Sequence, residues 1–238
     1  IGLADVTDSL MAIKTLVFDE GTVSFTELKR AIDTDFRGAP ALRAQVRKKA
    51  PLFGSGDPEA LEMASRVARV VHDAYASHRN YRGGPYTSGF WSMSQHVAYG
   101  TLSGTLPSGR LSGKAFTPGL TPQPSASPSF LDNIRDVARL DPACMDNNIA
   151  FNVKLVPAAG ESRGEIVGAM KNYVKTYFDL GGMQMQFNVV NSATLKDALA
   201  NPEKYKNLLV RISGYNAYFV TLNREMQIEL IERAEFGM

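Results

Sequence analysis

The chain is 238 residues long, with 44% hydrophobic and 21% charged residues, as expected of a globular protein and of neither a disordered nor a fibrous one. Lys and Arg number 26 against 24 Asp and Glu, a net charge of +2 with no long like-charged block, which speaks against a nucleic-acid partner. The longest apolar runs, such as Val67 to Val71 broken by Arg69, fall far short of the roughly 20 residues of a membrane helix. A single cysteine, Cys144, excludes an internal disulfide and leads us to expect a reducing, cytoplasmic setting. Ile1-Gly2-Leu3-Ala4-Asp5 shows neither an initiator Met nor a signal-peptide pattern, so we expect a piece of a longer chain.

In chain order, Val6, Leu10, Ile13 and Val17 fall at helical spacing and predict a helix over 6–18 with that stripe inward. Ser24 and Glu27 form a capping box ahead of Leu28, Ile32 and Phe36. Asp57 as N-cap and Pro58 at the first helical position announce a third helix, with Leu61, Ala64, Val67, Ala68, Val71 and Tyr75 as its apolar face. Residues 1–80 thus read as a helical region.

From Asn80 to Pro128 Gly and Pro recur every few residues and no helical period survives, apart from a predicted strand over Ser94 to Tyr99. An irregular stretch of this length is expected to wrap a larger body. Ile149, Phe151, Val153 and Leu155 then alternate with Asn152 and Lys154, predicting a strand. A helix with Ile166, Met170, Tyr173, Val174 and Tyr177 inward stops at Gly181-Gly182. Met183 to Val190 reads as a second strand, Ser192 as the cap of a short helix to Ala200, and Leu208 to Ile212 as a third strand. This alternation argues for an α/β class with right-handed crossovers over 81–238.

Arg211-Ile212-Ser213-Gly214-Tyr215 lies between the third strand and a closing helix whose apolar face includes Met226, Leu230 and Ile231. By local physics Gly214 is a glycine at a turn, free to adopt angles other residues avoid. Over a longer window the segment resembles the glycyl radical signature. Asn188-Val189-Val190, Asn201-Pro202-Glu203-Lys204-Tyr205 and Met226-Gln227 to Arg233 extend the likeness. So do Val97-Ala98-Tyr99-Gly100, likened to a family strand, Leu106-Pro107-Ser108-Gly109-Arg110, with Ser108 where Asp is usual, and the early helix Asp8 to Lys14.

The resemblance to the glycyl radical enzymes, the pyruvate formate-lyase-like superfamily, carries several implications. The fold would be the C-terminal part of a ten-stranded α/β barrel, 1–80 being its helical part and 81–238 the connector, closing strands and glycyl radical domain. Gly214 would store a radical, with Arg211, Ser213 and Tyr215 shaping its loop. Glycine suits the role because a Cα radical prefers a planar centre and no side chain obstructs one. No bound cofactor is implied. The radical itself is protein-derived, installed by an activating enzyme that uses S-adenosylmethionine and an iron–sulfur cluster. It would pass to a cysteine in the upstream part of the enzyme or in a partner subunit. The substrate would be a small molecule. Homodimerisation stays open.

An anaerobic lyase, a dehydratase, decarboxylase or carbon–heteroatom lyase, is the leading expectation. Phe116-Thr117-Pro118-Gly119 is similar to a turn of the acyltransferase branch and carries that alternative. A non-catalytic radical-carrier subunit is the third. Cys144, in Pro142-Ala143-Cys144-Met145-Asp146, lacks the relay cysteine's flanking residues and reads as a plain buried thiol.

His96 and Gln186 are candidates for a substrate pocket: His96 as acid, base or donor, Gln186 because it alternates with Gln184 and Asn188 on one strand face. Arg110 reads as a loop-fixing residue, and His72 and His78 as surface or helix-end residues. The three histidines and one cysteine show no metal-ligand spacing.

Overall fold

The computed structural model describes residues 1–157 and 160–237. Helix α1 runs Leu3–Ile13 and continues as a π-helical turn, Lys14–Asp19. Its inward face is only partly the predicted one, since Ile13 and Val17 pack, half-buried, against the apolar cluster of Leu16 and Leu28. Val6 and Leu10 are exposed, while Leu3, Ala4, Thr7, Asp8, Met11 and Ala12 are buried. The cause is polar: Asp5 accepts from Thr117 N and Oγ1, both at 2.7 Å, and Asp8 accepts from Phe53 N at 2.9 Å. These bonds fix the rotation of the helix and turn Val6 and Leu10 outward.

The Ser24–Glu27 capping box starts α2, Phe25–Asp33. Helix α3, Pro40–Lys49, was not anticipated, because only Val46 of its ten residues is buried and no apolar stripe marks it. Asp57 caps α4, Pro58–Ala76, by accepting from Glu59 N and Ala60 N, with Ala60, Ala64 and Ala68 inward. The connector then holds α5, Gln95–Leu102. The predicted strand over Ser94 to Tyr99 is therefore a helix, too short and evenly mixed to show a period. Elsewhere the connector pairs with residues 148–150: Phe90 N donates to Asn148 O at 2.6 Å and Leu120 N to Ala150 O at 2.8 Å. Gly119 allows this passage, since a Cβ there would lie 2.3 Å from Ala150 O.

Helix α6, Phe130–Ala138, also unanticipated, leads into β1, Asn152–Val156. Both faces of β1 are buried, including Asn152 and Lys154. Helix α7, Arg163–Asp179, follows, opened by a Ser162–Glu165 capping box. Then come β2, Gln186–Asn188, and α8, Ser192–Ala200. The cap of α8 is Asn191, which accepts from Thr194 N at 2.7 Å. Ser192 instead gives its N–H to Glu235. The chain closes with β3 (Leu209–Arg211), β4 (Asn216–Tyr218), α9 (Arg224–Glu232) and β5 (Phe236–Gly237).

The parallel sheet has the order β2-β1-β5, pairing Val153 with Phe187 and Leu155 with Phe236. The expected third parallel strand differs: β3 pairs antiparallel with β4, Arg211 opposite Asn216. Residues 211–216 must reverse direction within a few positions, and a hairpin is the geometry that does so. The α/β class stands. One apolar core joins Leu3, Phe53 and Ala64 to Ile134, Phe151, Leu155, Tyr177 and Phe236. A second fills the space among α1, α2 and α3, and a third packs Val97 and Leu195 against Val210, Ile212, Phe219 and Leu230 under the hairpin.

Candidate functional site

The hairpin turn is Ile212-Ser213-Gly214-Tyr215, closed by Ile212 N donating to Tyr215 O at 2.9 Å. Gly214 has φ +86°, a conformation that disfavours any side chain. A Cβ on it would lie 2.6 Å from Trp91 Nε1. Gly214 is exposed at the tip, whereas Ser213 and Ile212 are fully buried. Tyr215 packs against the third core.

Three side chains from other elements hold this turn. Gln186 Oε1 accepts from Gly214 N at 3.1 Å and from Arg211 Nε at 2.6 Å. Its amide nitrogen donates to Asn152 Oδ1, and Asn152 in turn donates to Thr121 Oγ1 at 3.2 Å. Asn188 acts as a substitute backbone, accepting from Arg211 N at 2.7 Å and donating to Arg211 O at 2.6 Å. Strands β2 and β3 are thereby joined through an amide side chain. Trp91 Nε1 donates to Ser213 O at 2.9 Å. The polar face of β1 is thus the first link of a chain that ends on the Gly214 amide.

Lys154 belongs to the same face and ties it to the end of α9. Its ammonium donates to Ser192 Oγ at 2.8 Å and to the carbonyls of Ile231 and Leu230 at 3.1 and 3.3 Å. A lysine suits such a helix C-terminus. Burial still pulls its pKa down to about 8, against the opposing pull of Glu235.

His96 is fully buried, with Nδ1 3.0 Å from Ser92 Oγ and Nε2 3.5 Å from Glu229 Oε1. Glu229 is gripped by Arg233 at 2.7 and 2.9 Å. Burial alone would push the Glu229 carboxyl up, but Arg233 and His96 outweigh it and hold it down at about 2. Arg110 fixes its loop, donating to Gly104 O at 2.8 Å, Gly100 O at 2.5 Å and Lys114 O, with its guanidinium over Phe116. Cys144 is buried, and burial raises its thiol pKa. His72 lies on α4 and His78 just past it.

Trp91 was not anticipated as part of the site; the signal available was its being the chain's single tryptophan. The Glu229–Arg233 pair was legible only as an i, i+4 spacing. Among the described residues no group of three or more His, Cys, Asp or Glu is placed to hold a metal ion, and no helix is long and apolar enough to cross a membrane.

Residues 1–100 match the family model described as Pyruvate formate lyase-like, and residues 116–220 match the one described as Glycine radical. The chain belongs to the glycyl radical enzymes. Gly214 and its two supports other than Trp91, Gln186 and Asn188, lie inside the second match. Among curated relatives, the isethionate sulfite-lyase of Desulfovibrio desulfuricans is 35% identical over 250 residues, 99% of this chain and 28% of the relative. The trans-4-hydroxy-L-proline dehydratase of Clostridioides difficile is 30% identical over 238 residues, 99% of this chain and 30% of the relative. Among solved structures, the glycerol-bound B12-independent glycerol dehydratase of Clostridium butyricum superposes with a TM-score of 0.92 at 34% identity, over 100% of this chain and 30% of that one. The chain therefore spans about 30% of the length of the relatives it matches.

Proposed function

We propose that this chain is the C-terminal, radical-bearing portion of an anaerobic glycyl radical lyase, a dehydratase, decarboxylase or carbon–heteroatom lyase, in which Gly214 stores the radical. The observation that carries the proposal is the Gly214 turn. It lies within the Glycine radical match, its φ is left-handed, its amide is held by Gln186, and Trp91 leaves no space for a side chain. The two curated relatives, a sulfite-lyase and a dehydratase, favour a lyase.

In this reading Arg211, through Gln186 and Asn188, sets the position of the radical strand, and Ser213, tied to Trp91, sets the approach to Gly214. A separate activating enzyme using S-adenosylmethionine removes one hydrogen from Gly214. The upstream part of the enzyme, or a partner subunit, supplies the relay cysteine and covers the exposed tip. In this reading 1–80 is the helical part of the ten-stranded barrel domain, and 81–238 holds the connector, the closing strands, here the sheet β2-β1-β5, and the radical domain. Gln186 and His96 remain the candidates for the substrate side, and the cytoplasm the expected setting. The acyltransferase alternative rests on Phe116-Thr117-Pro118-Gly119, whose residues here serve packing: Thr117 binds Asp5 and Gly119 passes Ala150.

The test is electron paramagnetic resonance of the full-length protein after anaerobic activation. Wild type is expected to give a doublet from the remaining α-hydrogen, and Gly214→Ala neither signal nor turnover. A signal that persists in Gly214→Ala overturns the assignment.

A further inference from the structure

The Ser213–Gly214 peptide is gripped at both edges. Trp91 Nε1 donates to its carbonyl, Ser213 O, at 2.9 Å, and Gln186 Oε1 accepts from its N–H, Gly214 N, at 3.1 Å. Hydrogen bonds are directional, so two on opposite edges fix the plane of a peptide as well as its place. Both arms start from the stretch 148–152. Phe90, next to Trp91, donates to Asn148 O at 2.6 Å and accepts from Ala150 N at 3.1 Å. Gln186 is paired with Asn152 in the β1–β2 ladder, and Asn152 Oδ1 takes its amide nitrogen, which leaves Oε1 turned to the hairpin. Beyond Gly214 the chain is fixed too. Ile212 N donates to Tyr215 O at 2.9 Å, and Tyr215 packs on the third core.

With both sides held, the Gly214 N–Cα bond cannot turn without breaking these bonds, and φ there is +86°. That angle matters to a Cα radical. Loss of a hydrogen flattens the centre and leaves its electron in an orbital perpendicular to the new plane. The amide nitrogen shares that electron only when its own peptide lies flat with the centre. At +86° the two planes stand almost at a right angle. Sharing falls with the squared cosine of the twist, so a support that holds φ to within about 20° leaves less than about one-fifth of the flat overlap.

We propose that Trp91 and Gln186 are positioning residues that hold the Ser213–Gly214 peptide out of conjugation with the radical centre, so that spin on Gly214 is withheld from its amide nitrogen. The proposal rests on Gly214 as the radical site and adds how the turn sets the radical's reactivity. A centre that shares less of its spin is a stronger hydrogen-atom acceptor. In the relay step a thiol S–H bond breaks homolytically, the hydrogen atom forms the second Cα–H bond of Gly214, and the unpaired electron stays on sulfur. The twist favours that transfer, whereas a flat, fully delocalised radical would oppose it.

The experiment is pulsed electron–nuclear double resonance of the full-length protein, produced with nitrogen-15 glycine and activated anaerobically. The label reports Gly214 N and leaves Tyr215 N unlabelled. The anisotropic nitrogen coupling of wild type is expected to be less than about one-fifth of that in the flat radical made by irradiating frozen, equally labelled N-acetylglycinamide. Trp91→Phe and Gln186→Leu, each freeing one edge of the peptide, are expected to raise the coupling towards that reference and to lower turnover per radical. Where a variant does not fold or activate, wild type and the other variant decide. A wild-type coupling equal to the reference, or a coupling unchanged in the activated variants, overturns the clamp while the α-hydrogen doublet keeps Gly214 as the radical site. Absence of that doublet in wild type overturns the radical assignment and the clamp with it.

Discussion

The packing of α1 on α4 and the β3–β4 hairpin are held in opposite ways. In the first, Leu3 and Ala4 meet Phe53, Ala64 and Ala68 in an apolar core that runs on to Phe151 and Phe236. In the second, a three-residue ladder, too short to stand alone, is held on one side by amide and indole hydrogen bonds from Gln186, Asn188 and Trp91. Apolar packing is non-directional and tolerates small shifts, whereas hydrogen bonds fix direction. The glycine backbone is therefore positioned by the more directional means. Opening the hairpin requires breaking those bonds and the packing around Ile212, not the β2-β1-β5 ladder. In the proposed reading an activating enzyme has to reach this segment, and support by a few hydrogen bonds lets it open without disturbing the apolar core.

The largest expected effect lies on the hairpin side. When activated protein meets air, the chain is expected to break at Gly214 and release a C-terminal piece beginning near Tyr215, while unactivated protein stays whole. Mass spectrometry of the exposed sample reads the site directly. Cleavage at Gly181 or Gly182, at the end of α7, would place the radical elsewhere and remove the contrast between the two regions.

On the apolar side, Phe53→Ala is expected to cost about 3–5 kcal/mol, the usual penalty for a large cavity in a closed core. Phe53 has no exposed surface, so little relaxation is available. Denaturant unfolding measures the loss. The radical signal per folded molecule should not change, and a drop would show that the two regions are coupled.

Gln186→Leu cuts into the hairpin's own support. It leaves the Arg211 Nε and Gly214 N–H groups without their acceptor and Asn152 without its donor. Because Gly214 at the tip is open to water, the expected cost is about 2–4 kcal/mol, carried mainly by Arg211 and Asn152. The sharper readout is hydrogen exchange: the amides of 209–218 should exchange faster while those of β1 keep their protection. Equal acceleration in both would make the sheet and hairpin one cooperative unit.

These supports show why some of the molecule was legible in its sequence and some was not. The Ser24 and Asp57 caps and the β1 alternation depend on neighbours within a few residues, so pattern alone exposed them, whereas Gly214 is by pattern only a glycine at a turn and is singled out by the family resemblance. The face of α1 did not follow from its apolar residues, because Asp5 and Asp8 are paired with Thr117, Gln123 and Phe53 N. Nothing near Asp5 announces partners more than a hundred positions away. The sequence puts His96 on a strand because an eight-residue helix among glycines has no period to read. Gln186 reads in the sequence as a strand residue on a polar face, but its bond to Gly214 spans 28 positions. Trp91 stands further still from the turn it holds.

The smallest effect is the most specific to the turn. Gly214→Ala meets two separate obstacles, a φ of +86° and the Trp91 ring 2.6 Å from the added carbon. The first costs about 1–3 kcal/mol wherever it occurs. The second belongs to Trp91 alone. Trp91→Phe removes the bond to Ser213 O, a loss of about 0.5–1.5 kcal/mol, and takes away the Nε1 atom that the methyl would meet. In a double-mutant cycle, Gly214→Ala should therefore cost less in the Trp91→Phe background than in wild type, with a coupling of about 1 kcal/mol. Stabilities of the four proteins from denaturant unfolding give that number. Strict additivity would mean that the turn moves away from the indole by itself, leaving φ as the only conformational obstacle to a side chain at position 214.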